Sequence, residues 1–200
     1  MTGENKQQRH KQRLRAQFLS DRKAYAAGTQ PLLADAPKAQ LDTSLLAHLR
    51  SVVAGKNIAA YSPLPSEPGG KDFVSKLHDC AASVLLPMAH DSGEMTWSYF
   101  DPQQPLVPGA LGILEPVGQT FDSSILSTCN IVVMPALAVD SRGYRLGKGA
   151  GYYDRALVHT HAVLLAAVYP WEYVKDLPYE HHDKPVDGIV TGESVTWISQ

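Results

Sequence analysis

Cysteine is nearly missing from this chain of 200 residues: Cys80 and Cys129 stand alone, far apart and without a CxxC pair. Such usage argues against a disulfide scaffold or a thiolate zinc site and reads as two reduced, buried thiols. Long apolar runs are also absent, since none approaches the roughly 20 residues that cross a bilayer. The start of the chain, MTGENKQQRHKQRLRAQF, is polar and basic and does not resemble a signal sequence. Neither sign of charge dominates: 18 basic against 20 acidic residues leave a net charge of −2. That balance provides no general polyanion-binding surface, so neither nucleic acid nor a membrane is an expected partner. A cytoplasmic protein is the expectation. Repeats and low-complexity tracts are missing as well.

What is present is enough apolar material for one core. A hydrophobic content of 44% suits a single domain over 1–200, with a polar, basic helix over about 5–26 as an N-terminal arm. That helix carries a thin apolar stripe through Leu14, Phe18 and Leu19. After an Ala- and Pro-rich loop (AAGTQPLLADAPKAQ), Asp42 or Thr43 is read as the cap of a helix through Leu45, Leu46, Leu49 and Val52, with Gly55 as its stop. NIAAYSP reads as a short strand before the turn PLPSEPGG, and Lys71 to Ala82 as a helix with Phe73, Val74, Leu77 and Cys80 on one face. SVLLPM has the character of a strand buried in a parallel sheet, whereas MTWSYF alternates like an antiparallel one. Residues 101–128 read as loop-rich. NIVVMPALAVD and AVLLAAVYP are the strongest buried strands, and GIVT and SVTWIS close the pattern. Strands alternating with helices predict an α/β fold, a mostly parallel sheet flanked by helices.

The densest chemical signal lies between Arg145 and Arg155. Gly147, Gly149 and Gly151 alternate through it, leaving backbone N–H groups bare to a ligand. Arg145 and Lys148 add fixed positive charge, and the helix-like run Tyr152–His159 follows. Bare N–H groups, cations and a helix N-terminus together predict a phosphate site. The spacing is neither a Walker A loop nor a dinucleotide fingerprint. A glycine-rich connector without a ligand is the bland alternative, but a lysine set between glycines gains little from packing. Asp140, just past the strand, is placed to orient a loop cation or a substrate group. Asp154 either favours the helix start through the macrodipole or holds Mg²⁺ beside phosphates, because Mg²⁺ requires only one or two carboxylates. The pairs His159 and His161, and His181 and His182, have spacings that make poor zinc sites.

The stretch MPALAVDSRGYRLGKGAGYYDRAL resembles the signature of the 5-formyltetrahydrofolate cyclo-ligase family, whose pattern runs P-G-L-A-F-D, a short turn, then R-L-G-x-G-x-G-Y-Y-D. Ala136 and Val139 replace the usual glycine and phenylalanine. Lys11-Gln12-Arg13-Leu14-Arg15 is similar to the family's K-x-x-L-R, and Glu67 stands where the family has a folate-contacting glutamate. Gly112 to Pro116 resembles G-I-x-E-P, and His182 to Asp187 resembles H-D-x-x-V-D. The family's F-x-x-Q has no glutamine here, because the chain reads Tyr169-Pro170-Trp171-Glu172-Tyr173.

The resemblance implies a three-layer α/β/α sandwich with a mostly parallel, Rossmann-like sheet, as in NagB, RpiA and CoA transferases. It implies Mg²⁺- and ATP-dependent closure of 5-formyltetrahydrofolate to 5,10-methenyltetrahydrofolate through a phosphorylated formyl group. Lys148, Arg145 and Tyr152 become the catalytic candidates. ATP-binding candidates are Lys11, Arg15, Arg145, Leu146, Gly147, Lys148, Gly149, Ala150, Gly151, Tyr152 and Tyr153. Glu67, Ser62 and Tyr152 are assigned to the substrate, and Asp154 and Asp183 to the metal, with His182 at the substrate edge. The competing readings are a sugar-phosphate isomerase or CoA-transferase-like enzyme on a related fold, or a non-catalytic folate- or nucleotide-binding module. A monomer is the expected assembly, with a dimer as the alternative.

Overall fold

The computed structural model describes residues 3–29, 34–158, 160–180 and 183–198, with side chains from residue 6 onward. Helix α1 (Gly3–Ala26) forms over an interior free of Gly and Pro. It ends in a Schellman turn, in which Gly28 at φ 69° closes Gly28 N–H to Tyr25 C=O and Thr29 N–H to Ala24 C=O. Phe18 is buried with Leu14 packed beside it, whereas Leu19 is 36% exposed, so the apolar stripe is narrower than expected. Helix α2 (Lys38–Val53) starts after Pro37, ahead of the predicted caps Asp42 and Thr43. Pro37 presets the entry at φ −65°, and Asp42 turns inward instead to accept from Gly69 N–H and Lys38 Nζ. Part of the preceding loop, residues 30–33, lies outside the described residues. Gly55 follows α2 at φ 67°, as expected of a stop.

Strand β1 (Asn57–Ala59) is followed by α3 (Phe73–His78), which is shorter than the predicted Lys71–Ala82. Next come β2 (Ser83–Ala89) and β3 (Met95–Tyr99), then a small hairpin of β4 (Val107–Pro108) and β5 (Leu114–Glu115). The predicted single strand NIVVMPALAVD is two strands, β6 (Ile131–Pro135) and β7 (Ala138–Asp140). Pro135 and the following turn break the ladder, and β7 leaves the main sheet. After β8 (Arg145–Leu146) and α4 (Tyr152–Ala156) come β9 (Val163–Ala167), β10 (Tyr173–Val174), β11 (Gly188–Val190) and β12 (Val195–Trp197).

The main sheet runs β12-β11-β9-β6-β1-β2-β3. Its five inner strands, β11 to β2, are parallel, and both edges are antiparallel. Alternation sorts the side chains. Ile58, Val84, Leu86, Ile131, Val133, Leu165 and Ala167 face α2 and α3. Ala59, Leu85, Val132, Met134, Leu164 and Ala166 face the side covered by α4 and the turn around Leu126. The α/β/α layering is therefore present, although its second helical layer is reduced to one short helix and a 3₁₀ turn.

From β1 the chain steps outward to β2, then returns past β1 to build β6, β9 and β11 on its other side. Such a reversal opens a crevice at the carboxyl ends of the two strands it separates, here β1 and β6. A second sheet, β10-β7-β8, stands at that end. Helix α1 packs on it through Phe18 against Leu137, Ala138, Leu146 and Leu177.

Candidate active site

A cavity of about 540 Å³ occupies the crevice. Tyr61 and Ser62 reach it from the end of β1, Pro135 and Ala136 from the end of β6, and residues 145–154 from β8 through the start of α4. Helix α1 contributes Gln8, Lys11, Arg15 and Arg22, while Glu180 and Asp183 come from the segment before β11. Its lining is of two kinds: cations from 145–149 and α1, and apolar side chains including Leu64, Met95, Leu111 and Ile113.

The glycine segment is a bare turn held from outside. Gly149 and Gly151 sit at φ 103° and 70°, left-handed geometry that glycine adopts without strain. A Cβ on Gly151 would stand 2.9 Å from the Arg155 guanidinium, and one on Gly149 would meet that of Arg15 at 3.4 Å. Arg15 Nε donates to Gly147 C=O at 2.9 Å, which seats α1 on the turn. Among the described residues, no backbone N–H from Gly147 to Gly151 donates a hydrogen bond. These donors remain available to an anion. Helix α4 spans only five residues, so its macrodipole contributes little, and the positive potential of the turn comes from the cations and loop N–H groups.

Three of the cations, Lys148, Arg145 and Lys11, have carboxylates beside them. Lys148 Nζ lies 2.6 Å from Glu67 Oε1, joining the phosphate-loop candidate to the substrate candidate. Glu67 is almost fully buried, and its other oxygen accepts from Leu64 N–H at 2.9 Å. Arg145 donates to Asp154 and, at 2.6 Å, to the carbonyl of Lys184. Lys11 lies 2.9 Å from Asp183 and 3.1 Å from Glu180.

Tyr152 and Tyr153 both line the cavity but make different contacts. Tyr152 donates its hydroxyl to the His90 carbonyl at 2.8 Å. Tyr153 packs edge-on against Trp97. Burial pushes the Tyr153 hydroxyl pKa up, Glu67 pushes it further, and Arg145 pulls it back. Leu146 lines the cavity, yet its side chain is buried with Phe18, Leu137, Ala138 and Leu177. Asp140 is fully buried. It orients a loop cation, Arg142, as one of the two expected roles, and also accepts from the N–H groups of Arg142, Tyr144 and Leu177.

Sequence reasoning missed Arg22, which lines the cavity while its guanidinium grips Glu172 at 2.5 and 2.7 Å and donates to Ala136 C=O. Glu172 belongs to the Tyr169–Tyr173 stretch, and its ion pair with Arg22 anchors α1. Glu180 and Leu111 were also missed, since neither stands in a motif whose chemistry marks it. His159, His181 and His182 lie outside the described residues. Among those described, no cluster of three or more His, Cys, Asp or Glu residues suited to a metal is present.

The model of the 5-formyltetrahydrofolate cyclo-ligase family matches residues 7–192. The chain is 32% identical over 181 residues to the 5-formyltetrahydrofolate cyclo-ligase of Mycolicibacterium smegmatis, covering 77% of this chain and 93% of that one. It is 30% identical over 149 residues to the Escherichia coli cyclo-ligase, covering 72% and 82%. Among solved structures, it is similar to Aquifex aeolicus 5,10-methenyltetrahydrofolate synthetase, with a TM-score of 0.75, 26% identity and coverage of 95% and 93%. The Mycoplasma pneumoniae synthetase shares the fold, with a TM-score of 0.65, 22% identity and coverage of 91% and 98%. Because the family match takes in the cavity from Gln8 to Asp183, the chain belongs to the 5-formyltetrahydrofolate cyclo-ligase family.

Proposed function

We propose that this chain converts 5-formyltetrahydrofolate to 5,10-methenyltetrahydrofolate with hydrolysis of ATP to ADP and phosphate. The observation that carries the reading is the contact between Lys148 and Glu67. It joins the cation proposed for the phosphates to the protein carboxylate proposed for the pterin, as a phosphoryl transfer onto a bound folate would need.

A formyl amide is a weak electrophile with a poor leaving group. Transfer of the γ-phosphoryl group to the formyl oxygen breaks the bond to ADP and forms an iminium phosphate. The second folate nitrogen then attacks the formyl carbon, its proton departs, and the C–O bond breaks to release phosphate. Catalysis of such a transfer is mainly positioning and charge stabilisation. Arg145, Lys148, Lys11 and Arg15 neutralise the triphosphate, and the Gly147–Gly151 N–H groups hold its oxygens. Glu67 orients the reduced pterin, assisted by Ser62, and Tyr153 donates toward the reacting centre while Tyr152 braces the wall against His90. Asp154, half exposed and with one oxygen committed to Arg145, and Asp183 offer the hard oxygen donors that suit Mg²⁺. When bound, Mg²⁺ would offset phosphate charge. Among the described residues no helix is long and apolar enough to cross a membrane, and we assign the reaction to the cytoplasm with a small-molecule substrate.

The test is incubation with 5-formyltetrahydrofolate and Mg²⁺, with and without ATP, following the methenyl absorbance. ATP-dependent growth of that band is expected, and its absence would overturn the proposal.

A further inference from the structure

Arg155 is exposed in the last turn of α4, and neither it nor Gly93 is among the residues that line the cavity. Its guanidinium nevertheless bridges two turns. Nε donates to the Gly93 carbonyl at 2.9 Å, and Nη2 donates to that same carbonyl and, at 2.8 Å, to the Ala150 carbonyl. Gly93 belongs to the turn between β2 and β3, which closes on itself through Gly93 N–H to His90 C=O and His90 N–H to Glu94 C=O. Ala150 belongs to the glycine turn. Two glycines leave room for the guanidinium: a Cβ on Gly93 would stand 2.7 Å from Nη2, and one on Gly151 would stand 2.9 Å from Nη1. Tyr152 makes a second tie between the same turns, with its hydroxyl on the His90 carbonyl and its ring centroid 5.6 Å from the guanidinium carbon. A solvated arginine loses rotamer freedom when it is held in this way. A planar fork set against the carbonyls of two turns is a clamp.

We infer that Arg155 is a positioning residue for the nucleotide, which acts by aiming the Gly151 N–H at a phosphate oxygen. This rests on the reaction proposed above, in which the glycine turn holds the triphosphate. Ala150 C=O and Gly151 N–H belong to one trans peptide plane and so point in opposite directions. With the carbonyl drawn to Arg155, the N–H faces away from it, and among the described residues that N–H donates to no protein group. Arg15 grips the other end of the turn through the Gly147 carbonyl, so the turn is held from α1 on one side and from the β2–β3 turn on the other. Without Arg155 the Ala150–Gly151 plane, with glycine at 149 and 151, is free to rotate. Losing the clamp misdirects a donor without removing any group assigned to a substrate. Lysine is no substitute, since a single ammonium has no fixed fork for two carbonyls.

The experiment measures Kd for ATP with Mg²⁺ by calorimetry, KM for 5-formyltetrahydrofolate, and Tm. The variants are Arg155→Ala, Arg155→Lys, Gly93→Ala and Gly93→Ala combined with Arg155→Ala. Kd for ATP should rise about tenfold in each single variant, the scale of one charge-assisted hydrogen bond, with KM for the folate unchanged. Gly93→Ala acts by displacing the guanidinium, so in the Arg155→Ala background it should cost the nucleotide nothing more. Its effect on Tm should be the same in both backgrounds, because that effect comes from an alanine at φ 85°. Unchanged Kd for ATP in Arg155→Ala and Gly93→Ala would overturn this inference alone. So would wild-type affinity in Arg155→Lys, a parallel rise of the folate KM, or losses that add in the double variant. A wild type that binds ATP without turning over the folate would sink the reaction proposed above, while the pattern of Kd values still decides the clamp. A wild type that binds no ATP would sink both.

Discussion

A lysine between two glycines has almost nothing to pack against, and among the described residues Lys148 pairs its charge with Glu67. Its side chain is 45% exposed, so Lys148→Ala should leave the fold intact while turnover falls about 10²–10³-fold, the usual loss for one charge-stabilising donor. Steady-state rates beside a thermal melt check this, and near-wild-type turnover would remove Lys148 from the chemistry. Cys129 gives a second expectation. Burial pushes its thiol from the ordinary 9.0 to about 11. Between those values the folded chain keeps a proton that the unfolded chain releases, so stability falls as pH rises from about 9 toward 11 and the slope then vanishes. Urea midpoints across that range should fall less steeply in Cys129→Val than in the wild type. Buried tyrosines such as Tyr61 contribute with the same sign and leave a residual slope.

At this scale the site was largely legible. Bare backbone, positive charge and carboxylates are properties of residue types, and the motif set them close together in the chain. The clamp by Arg155 was not legible, because the carbonyls it holds, those of Gly93 and Ala150, lie in two turns that meet only in the fold. The partners of Lys11 were also hidden: Glu180 and Asp183 become its neighbours only when α1 docks.

At the scale of elements, α1 reads as a basic, solvated helix, and most of its surface is that. What docks it is a buried ion pair as well as the Phe18 contact. Arg22 and Glu172 are 1% and 0% exposed, and Arg22 also caps the Ala136 carbonyl at the end of β6. Removing one member strands a buried charge, so Arg22→Ala should lower unfolding free energy by about 3–5 kcal/mol. Arg22→Met combined with Glu172→Leu should recover much of that loss, since an apolar pair avoids the desolvation penalty. A denaturation double-mutant cycle measures both, and a double variant no better than the single one would show that two other hydrogen bonds dominate, the one Arg22 donates to the Ala136 carbonyl and the one Glu172 accepts from Tyr169 N–H. Strand boundaries failed for a related reason. NIVVMPALAVD is apolar throughout, and hydropathy has no mark for the place where β6 leaves one sheet and β7 joins another.

For the whole molecule, the crevice assembles from β1, β6, the glycine turn and α1, so a ligand there should hold distant parts of the chain together. ATP with Mg²⁺ at about 100 times Kd should add about 2.7 kcal/mol of stability, a Tm rise on the order of 5–10 °C. The shift should shrink in Lys148→Ala and in Arg15→Ala, measured at equal nucleotide concentration. An undiminished shift in both would place the nucleotide elsewhere. By itself the sequence determined the family, the alternating α/β architecture and the bare glycine turn proposed for phosphate, because each is written in local residue order: period-two burial, glycine spacing and contiguous motif. Only the tertiary structure decided that Lys148 meets Glu67, that α1 is locked by Arg22 and Glu172, and that Arg155 ties the glycine turn to the turn between β2 and β3. Those contacts join segments far apart in the chain, and what brings them together is the reversal of strand order between β1 and β6, which no local pattern encodes.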